Sequence, residues 1–253
     1  MPTSIWRGLL SFGVGAIIWE ATARYLDNKL FLVPLGAILE RFMEMARSGD
    51  LANDATVSFI EFIGGFGLAA VVGIGAGVAM SASKRLREFF DPWVSMLYAT
   101  PTIALGPLFM LALGIGYWSK IALIFLTAVF PILINTVAGL TTTDRVLLEV
   151  VRSFGATRMQ TYFKVRIPAA LPFIIAGLRV AVARALVGVV VAELFGARAG
   201  LGFLIFRSAQ VFDTAGLWVA VFILAICGVA SVEFLKWVEK RMAPWRFQNV
   251  EEE

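Results

Sequence analysis

Six stretches of this chain are each long and apolar enough to cross a lipid bilayer as a helix, near Trp6–Ala23, Val57–Met80, Trp93–Ile115, Ile121–Leu140, Pro172–Phe195 and Leu217–Phe234. A hydrocarbon core of ~30 Å takes about 20 apolar residues per helical span, so 253 residues accommodate six spans with their connectors. Lipid offers no partner to an unpaired backbone group, which restricts spanning structures to helices and closed barrels. These runs lack the alternation of a barrel strand. The composition agrees: 59% of residues are hydrophobic and 16% charged, against roughly 45–50% and a quarter in a soluble domain. The expectation is an all-α membrane protein, a single transmembrane domain over residues 1–253.

Composition also removes several chemistries. The chain has no histidine and one cysteine, Cys227, so metal ligation, imidazole acid/base catalysis and an intrachain disulfide are not expected. Its net charge of +4 is topological once sorted by connector. Thirteen of the 22 Lys and Arg residues fall on the side that holds Arg7, Lys84, the Arg145–Arg166 segment and Lys236–Arg246, and seven fall on the other. By the positive-inside rule both termini are cytoplasmic, and nucleic acid is not an expected partner. Residues from Arg7 to Ala23 also resemble a signal peptide with its cleavage site; the orientation makes better sense with the segment retained as a span. On the outer face, PLGAILERFMEMARSGD reads as an amphipathic helix with Pro34 in its first turn and Leu35, Ile38, Leu39 and Phe42 on one side.

The segment between spans four and five interrupts the oily pattern with Arg145, Arg152, Arg158, Lys164 and Arg166. Asp144 is a good N-cap for a helix through RVLLEVVRSF. Gly155 supplies a left-handed residue to end it. Thr157 with Gln160 three residues on is the capping box of a second short helix, which Pro168 and Pro172 are expected to end. Phe154, Met159, Tyr162 and Phe163 are candidates for exposure beside the arginines. Aromatics and methionine interleaved with arginine suit a protein-docking surface; they suit equally a loop lying on lipid headgroups.

Glu149, Gly155 six residues on and Pro168 thirteen beyond resemble the E-A-A-x3-G-x9-I-x-x-P cytoplasmic loop of bacterial ABC importer permeases, with Val150 and Val151 in place of the two alanines. The resemblance extends through ATPTIALGPLFMLALGIG, FPILINTVAGL, IPAALPFIIAGLRVAVARALVGVVVAEL, AGLGFLI and the terminal APW, covering residues 33–246. These stretches are similar to the branch importing nitrate, sulfonates, taurine or bicarbonate, which has relatives for thiamine precursors and riboflavin. Glu61 is a departure, since this branch leads one to expect a basic residue there. The resemblance implies a type I importer permease fold with six transmembrane helices and a cytoplasmic coupling helix between spans four and five. It implies that Glu149, Arg152, Phe154, Gly155, Ala156, Thr157, Arg158, Gln160 and Pro168 form the surface gripped by an ATPase.

The implied partners are a second copy of the chain in a homodimer, a cytoplasmic ATP-binding subunit dimer, a periplasmic or lipid-anchored solute-binding protein and the lipid of a bacterial inner membrane. The sequence has no G-x-x-x-x-G-K-[ST] to cradle phosphates, so ATP and Mg are expected in the partner and no cofactor in this chain, which is not expected to be an enzyme. An ion-gradient-driven secondary transporter is the distant alternative; it would work without an ATPase.

Candidate pathway residues lie within the spans. Charges at mid-bilayer are expensive and usually face a bundle interior or water. Arg184 falls near the midplane and Arg179 nearer the cytoplasmic end. Arg184 is either a contact for a passing anion or half of an internal ion pair with an acid of another span such as Glu61 or Glu20. Glu193, nine residues on along the same helix, points roughly the opposite way, which excludes a simple intrahelical pair, and is itself a candidate pathway residue. Pro101, Gly106, Pro107 and Asn135 mark spans whose proline-interrupted backbone can line a cavity. The glycines of GGFGLAAVVGIGAG point to close helix packing, and AGLGFLIFRSAQVF to a short outer-face gating segment. A small anion is the expected solute, with a neutral or aromatic one as the alternative.

Overall fold

The computed structural model describes residues 2–26, 28 and 30–246. The described residues are helical without strands: α1 Pro2–Leu26, α2 Leu35–Ser48, α3 Asp50–Ala82, α4 Lys84–Ala99, α5 Gly106–Leu113, α6 Tyr117–Thr141, α7 Arg145–Ser153, α8 Arg158–Thr161, α9 Ile167–Gly196, α10 Leu201–Gln210 and α11 Thr214–Met242. Among them α3, α6, α9 (with the turns leading into it) and α11 are long and apolar enough to cross a membrane. A fifth is reached if α4 and the helical stretch Thr102–Leu113, bent by 84°, make one broken span. That bend falls within the third span expected at Trp93–Ile115, whose backbone the sequence marks as proline-interrupted. It sits at Thr100–Pro101, where Thr100 is extended with a ψ of 132° and Pro101, with a ψ of 88°, has no N–H to continue the helix. α1 covers the first expected span, yet Arg7, Glu20 and Arg24 dilute its apolar run and it falls outside that set.

Contacts divide the chain into two compact units. One comprises residues 1–58 and 197–225. Its core joins Val33, Ile38, Met45 and Leu51 with Leu201, Leu204, Val219 and Ala220. The amphipathic helix forms as α2 with Pro34 as its N-cap, and it buries Ile38 and Met45; Leu39 is 58% exposed, so the buried stripe follows 35/38/45 rather than 39. The Glu20 carboxylate accepts the Leu35 N–H at 2.9 Å, placing an anion at the start of α2, where the helix dipole favours it. Trp19 donates its indole N–H to the Val33 carbonyl at 3.0 Å and meets Trp218 edge-on at 4.6 Å. In the expected gating segment, Asp54 accepts the Gly200 N–H at 2.9 Å and Ser58 accepts the Leu201 N–H at 2.7 Å, so two side chains of α3 satisfy the orphan donors that open α10.

The other unit holds residues 59–196 and 226–253 and is built around α6, whose face from Leu123 to Leu140 is largely buried. Residues 65, 69, 73 and 77 of α3 are Gly, Ala, Gly and Gly, a four-residue repeat that lets backbones approach closely. A Cβ on Gly65 would stand 2.5 Å from Ile124, and one on Gly77 2.6 Å from Thr136. This is the close packing expected of the glycine-rich run. α9 also packs against α6, with Gly177 against Asn135 and Gly188 against Thr127.

Candidate functional site

The polar segment between α6 and α9 is assembled by local capping chemistry. Asp144 accepts the Val146 N–H at 2.8 Å and opens α7. α7 closes in a Schellman arrangement: Gly155 has φ +75°, its N–H reaches the Arg152 carbonyl at 2.9 Å, and the Ala156 N–H reaches that of Val151 at 3.3 Å. The capping box is complete, with the Thr157 N–H on Gln160 Oε1 at 2.9 Å and the Gln160 N–H on Thr157 Oγ1 at 3.3 Å.

Beyond the box the structure departs from the sequence expectation. α8 is one turn long and passes through a π-helical turn, Tyr162–Arg166, into α9. Pro168 and Pro172 therefore lie inside a continuous helical rod and do not end one. The π turn shifts the hydrogen-bond register, with the Ile167 N–H on the Tyr162 carbonyl, and Pro168 falls in the first turn of α9, where a missing N–H is tolerated.

Phe154, Met159 and Phe163 are 86%, 68% and 56% exposed, and Glu149, Arg152, Gly155, Thr157, Arg158 and Gln160 are exposed with them, while Ala156 and Pro168 are half-buried. Tyr162 corrects the expectation of exposure: its ring is half-buried, and its hydroxyl lies 2.8 Å from the Val78 carbonyl and 2.7 Å from Ser81 Oγ. The tyrosine ties the segment to the end of α3. Sequence reasoning placed it on the wrong face because one turn of α8 is too short for periodicity to set a side.

The pathway candidates do not gather in one place. Pro101 and Pro107 are exposed and Gly106 is buried, with Phe195 where a Cβ would stand. Asn135 is half-buried and returns its amide to the Pro131 carbonyl at 2.8 Å. Arg179 forms an ion pair with Glu239 of α11. Arg184 is exposed on α9 and has no ion pair among the described residues, so the internal pairs considered for it are not made. Its prospective partners are engaged elsewhere. Glu20 pairs with Arg24 at 2.7 Å. Glu61 accepts from Lys120 Nζ at 2.6 Å, their side chains 0% and 8% exposed. Glu193, 1% exposed, lies within hydrogen-bonding reach of Glu61.

Lys120 is the residue that sequence reasoning missed, since it falls in the connector between the spans expected at Trp93–Ile115 and Ile121–Leu140. It sits in the first turn of α6. The signal that could have found it is Glu61 itself, since an acid inside a span calls for a cation. What looked like a departure from the expected basic residue is half of a buried pair.

Residues 55–244 match the family described as binding-protein-dependent transport system inner membrane component. The chain is 33% identical over 231 residues to the formylaminopyrimidine transport permease protein ThiX of Halalkalibacterium halodurans, covering 91% of this chain and 92% of that one. It is 34% identical over 242 residues to the putative aliphatic sulfonates transport permease protein SsuC of Bacillus subtilis, covering 95% and 87%. Among solved structures it is similar in fold to an inward-facing MetNI methionine ABC transporter, with a TM-score of 0.57, 22% identity and coverage of 75% of this chain and 90% of that one. The all-helical architecture, its apolar membrane-spanning rods and these matches lead to one assignment: the chain belongs to the family of binding-protein-dependent transport system inner membrane components, and is a multi-pass ABC transporter permease.

Proposed function

We propose that this chain is the translocating subunit of an ATP-driven importer, that it works as a homodimer, and that the segment from Asp144 to Pro168 is its coupling element. Six spans complete this reading, with α1 as the first and the bent pair of α4 and α5 as the third, and both termini face the cytoplasm of a bacterial inner membrane. A cytoplasmic ATPase dimer holds ATP and Mg and grips Phe154 and Met159, flanked by Glu149, Arg152, Gly155, Ala156, Thr157, Arg158 and Gln160. An outer solute-binding protein delivers the cargo. The observation that carries this reading is the pairing of an exposed apolar tip at Phe154 with capped, rigid turns on either side. A surface that must transmit force needs an anchor for the partner and little internal slack. α8 runs without a break into α9, so displacement of the tip is delivered along a span that carries Arg179 and Arg184.

The proposed solute is a small anion of the sulfonate, taurine, nitrate or bicarbonate class, recognised during passage by Arg184, an exposed guanidinium with no ion pair among the described residues. A neutral solute is the second reading, favoured by the likeness to a formylaminopyrimidine permease. Reconstitution in liposomes with the ATPase and binding protein separates them: a sulfonate should stimulate hydrolysis and accumulate inside, and stimulation by a neutral pyrimidine alone would overturn the anion reading. Uptake by the chain without any ATPase would overturn the importer reading itself. Within that assay Gly155→Val tests the coupling element. A Cβ at Gly155 meets nothing within 4 Å, so the strain comes from a φ of +75° that a β-branched residue resists by about 1–3 kcal/mol. Hydrolysis should persist with uptake lost; uptake at the unmodified rate would refute the role of the turn.

A further inference from the structure

Arg152, Arg158 and Arg166 line a single cleft of about 510 Å³, together with Ala82 and Tyr162. No carboxylate lines it, and none of the three guanidiniums has an ion pair among the described residues. Three like charges around one concavity repel unless an anion joins them. The position of the cleft narrows what that anion is. Ala82 is the last residue of α3 and Arg166 immediately precedes α9, so the lining belongs to the level at which two apolar spans end. That level is the headgroup layer. Size narrows it further: one acidic side chain fills a small part of such a volume, whereas a phosphodiester with its glycerol occupies much more. Guanidinium forks pair bidentately with phosphate, and basic pockets between spans take lipid headgroups.

We infer that this cleft binds the phosphate of an anionic phospholipid. Arg152 and Arg158 contribute from the loop, Arg166 from the foot of α9, and the Tyr162 hydroxyl already fixes the floor to Val78 and Ser81. A headgroup held there fastens the polar segment to its leaflet, so the charge of the surrounding lipid bears on how firmly that segment is held. The inference asks only that the chain span a membrane; it does not rest on the importer reading. It gives two arginines of the docking surface a lipid partner and leaves Phe154 and Met159 to the ATPase.

The test uses the full chain in nanodiscs of phosphatidylcholine with a minor fraction of phosphatidylglycerol, and native mass spectrometry to count retained lipid. The unmodified chain should retain phosphatidylglycerol in preference to phosphatidylcholine. Each arginine replaced by glutamine should weaken retention about fivefold, and the triple variant about a hundredfold. Arg158→Lys, which keeps the charge and loses the fork, should fall between Arg158→Gln and the unmodified chain. Should the triple variant fail to fold, Arg158→Gln, an exposed position, carries the same readout. Equal retention of the two lipids, or retention unchanged in the single variants, overturns the site. Displacement of the lipid by millimolar inorganic phosphate makes the ligand a soluble phosphate and overturns the lipid assignment. Loss of ATPase co-purification in the arginine variants with lipid retention intact assigns the arginines to the protein partner and overturns it too.

Discussion

Lys120→Met should destabilise this protein strongly, and the structure sets both the size and an asymmetry. Lys120 Nζ lies 2.6 Å from Glu61 Oε1 with both side chains buried. The second oxygen of Glu61 has no hydrogen-bond partner, and Glu193 stands close by on α9. Removing the lysine takes away the cation that Glu61 pairs with and leaves its carboxyl group in a low-dielectric interior. Breaking a buried pair by deleting one partner costs about 3–5 kcal/mol, which sets the loss expected for Lys120→Met. Glu61→Gln keeps an acceptor oxygen for Lys120 and should cost about 1–2 kcal/mol less than Lys120→Met. The double variant Glu61→Gln/Lys120→Met removes both charges of the pair and should recover most of the loss, because an apolar replacement of a buried pair is often neutral or better.

The assay is unfolding by titration with sodium dodecyl sulfate from mixed micelles, followed by circular dichroism, on the four proteins of the cycle. The coupling energy isolates the pair from the separate effects of each substitution. Single variants within about 1 kcal/mol of the unmodified protein, or additive losses in the double variant, would refute the reasoning and reduce the contact to an incidental one.

Three further outcomes follow from particular contacts. Gly65→Ala drives a Cβ to 2.5 Å from Ile124, and should cost about 1–3 kcal/mol in the same titration, whereas Gly67→Ala, with nothing within 4 Å, should be neutral or stabilise α3 by about 0.5–1 kcal/mol. Tyr162→Phe removes the hydroxyl held by Val78 and Ser81, costs about 1 kcal/mol, and should speed proteolysis between Arg145 and Arg166; unchanged cleavage would show that the contact does not fasten the segment. Arg184→Gln should lower uptake of a sulfonate several-fold with ATPase association intact, and equal uptake would remove Arg184 from the solute path.

The sequence made legible whatever is decided within a few residues along the chain. The Asp144 cap, the left-handed Gly155 and the Thr157–Gln160 box are each closed by hydrogen bonds spanning five residues or fewer, so residue type and spacing suffice to read them. The Gly65–Gly77 stripe was legible for a related reason: small residues every fourth position describe a face whichever helix covers it. Pro168 was misread because the rule that proline ends helices assumes an uninterrupted α register, and the five-residue π turn before it changes which carbonyl loses its donor. Tyr162 was illegible because its partner, Val78, is 84 residues away; Lys120 lies 59 residues from Glu61, and the acid within α3 was its one signal in the sequence.

Lys120 also bears on orientation. Counted as a connector residue, it is one of seven basic residues on the proposed outer side, but a cation at the start of α6 that is buried against Glu61 of α3 is not exposed to the forces that retain basic loops in the cytoplasm. Setting it aside leaves the outer side poorer in free cations, while Arg152, Arg158 and Arg166 remain without ion pairs among the described residues on the proposed cytoplasmic side. The asymmetry thus grows when the charge buried against Glu61 is set aside. Reversing it is therefore the most direct challenge to the topology: a cysteine at position 154, the 86%-exposed tip, should react with a membrane-impermeant maleimide only after the cytoplasmic face is opened. Labelling in intact cells would place the segment outside, and with it would fall every role that depends on contact with an ATPase.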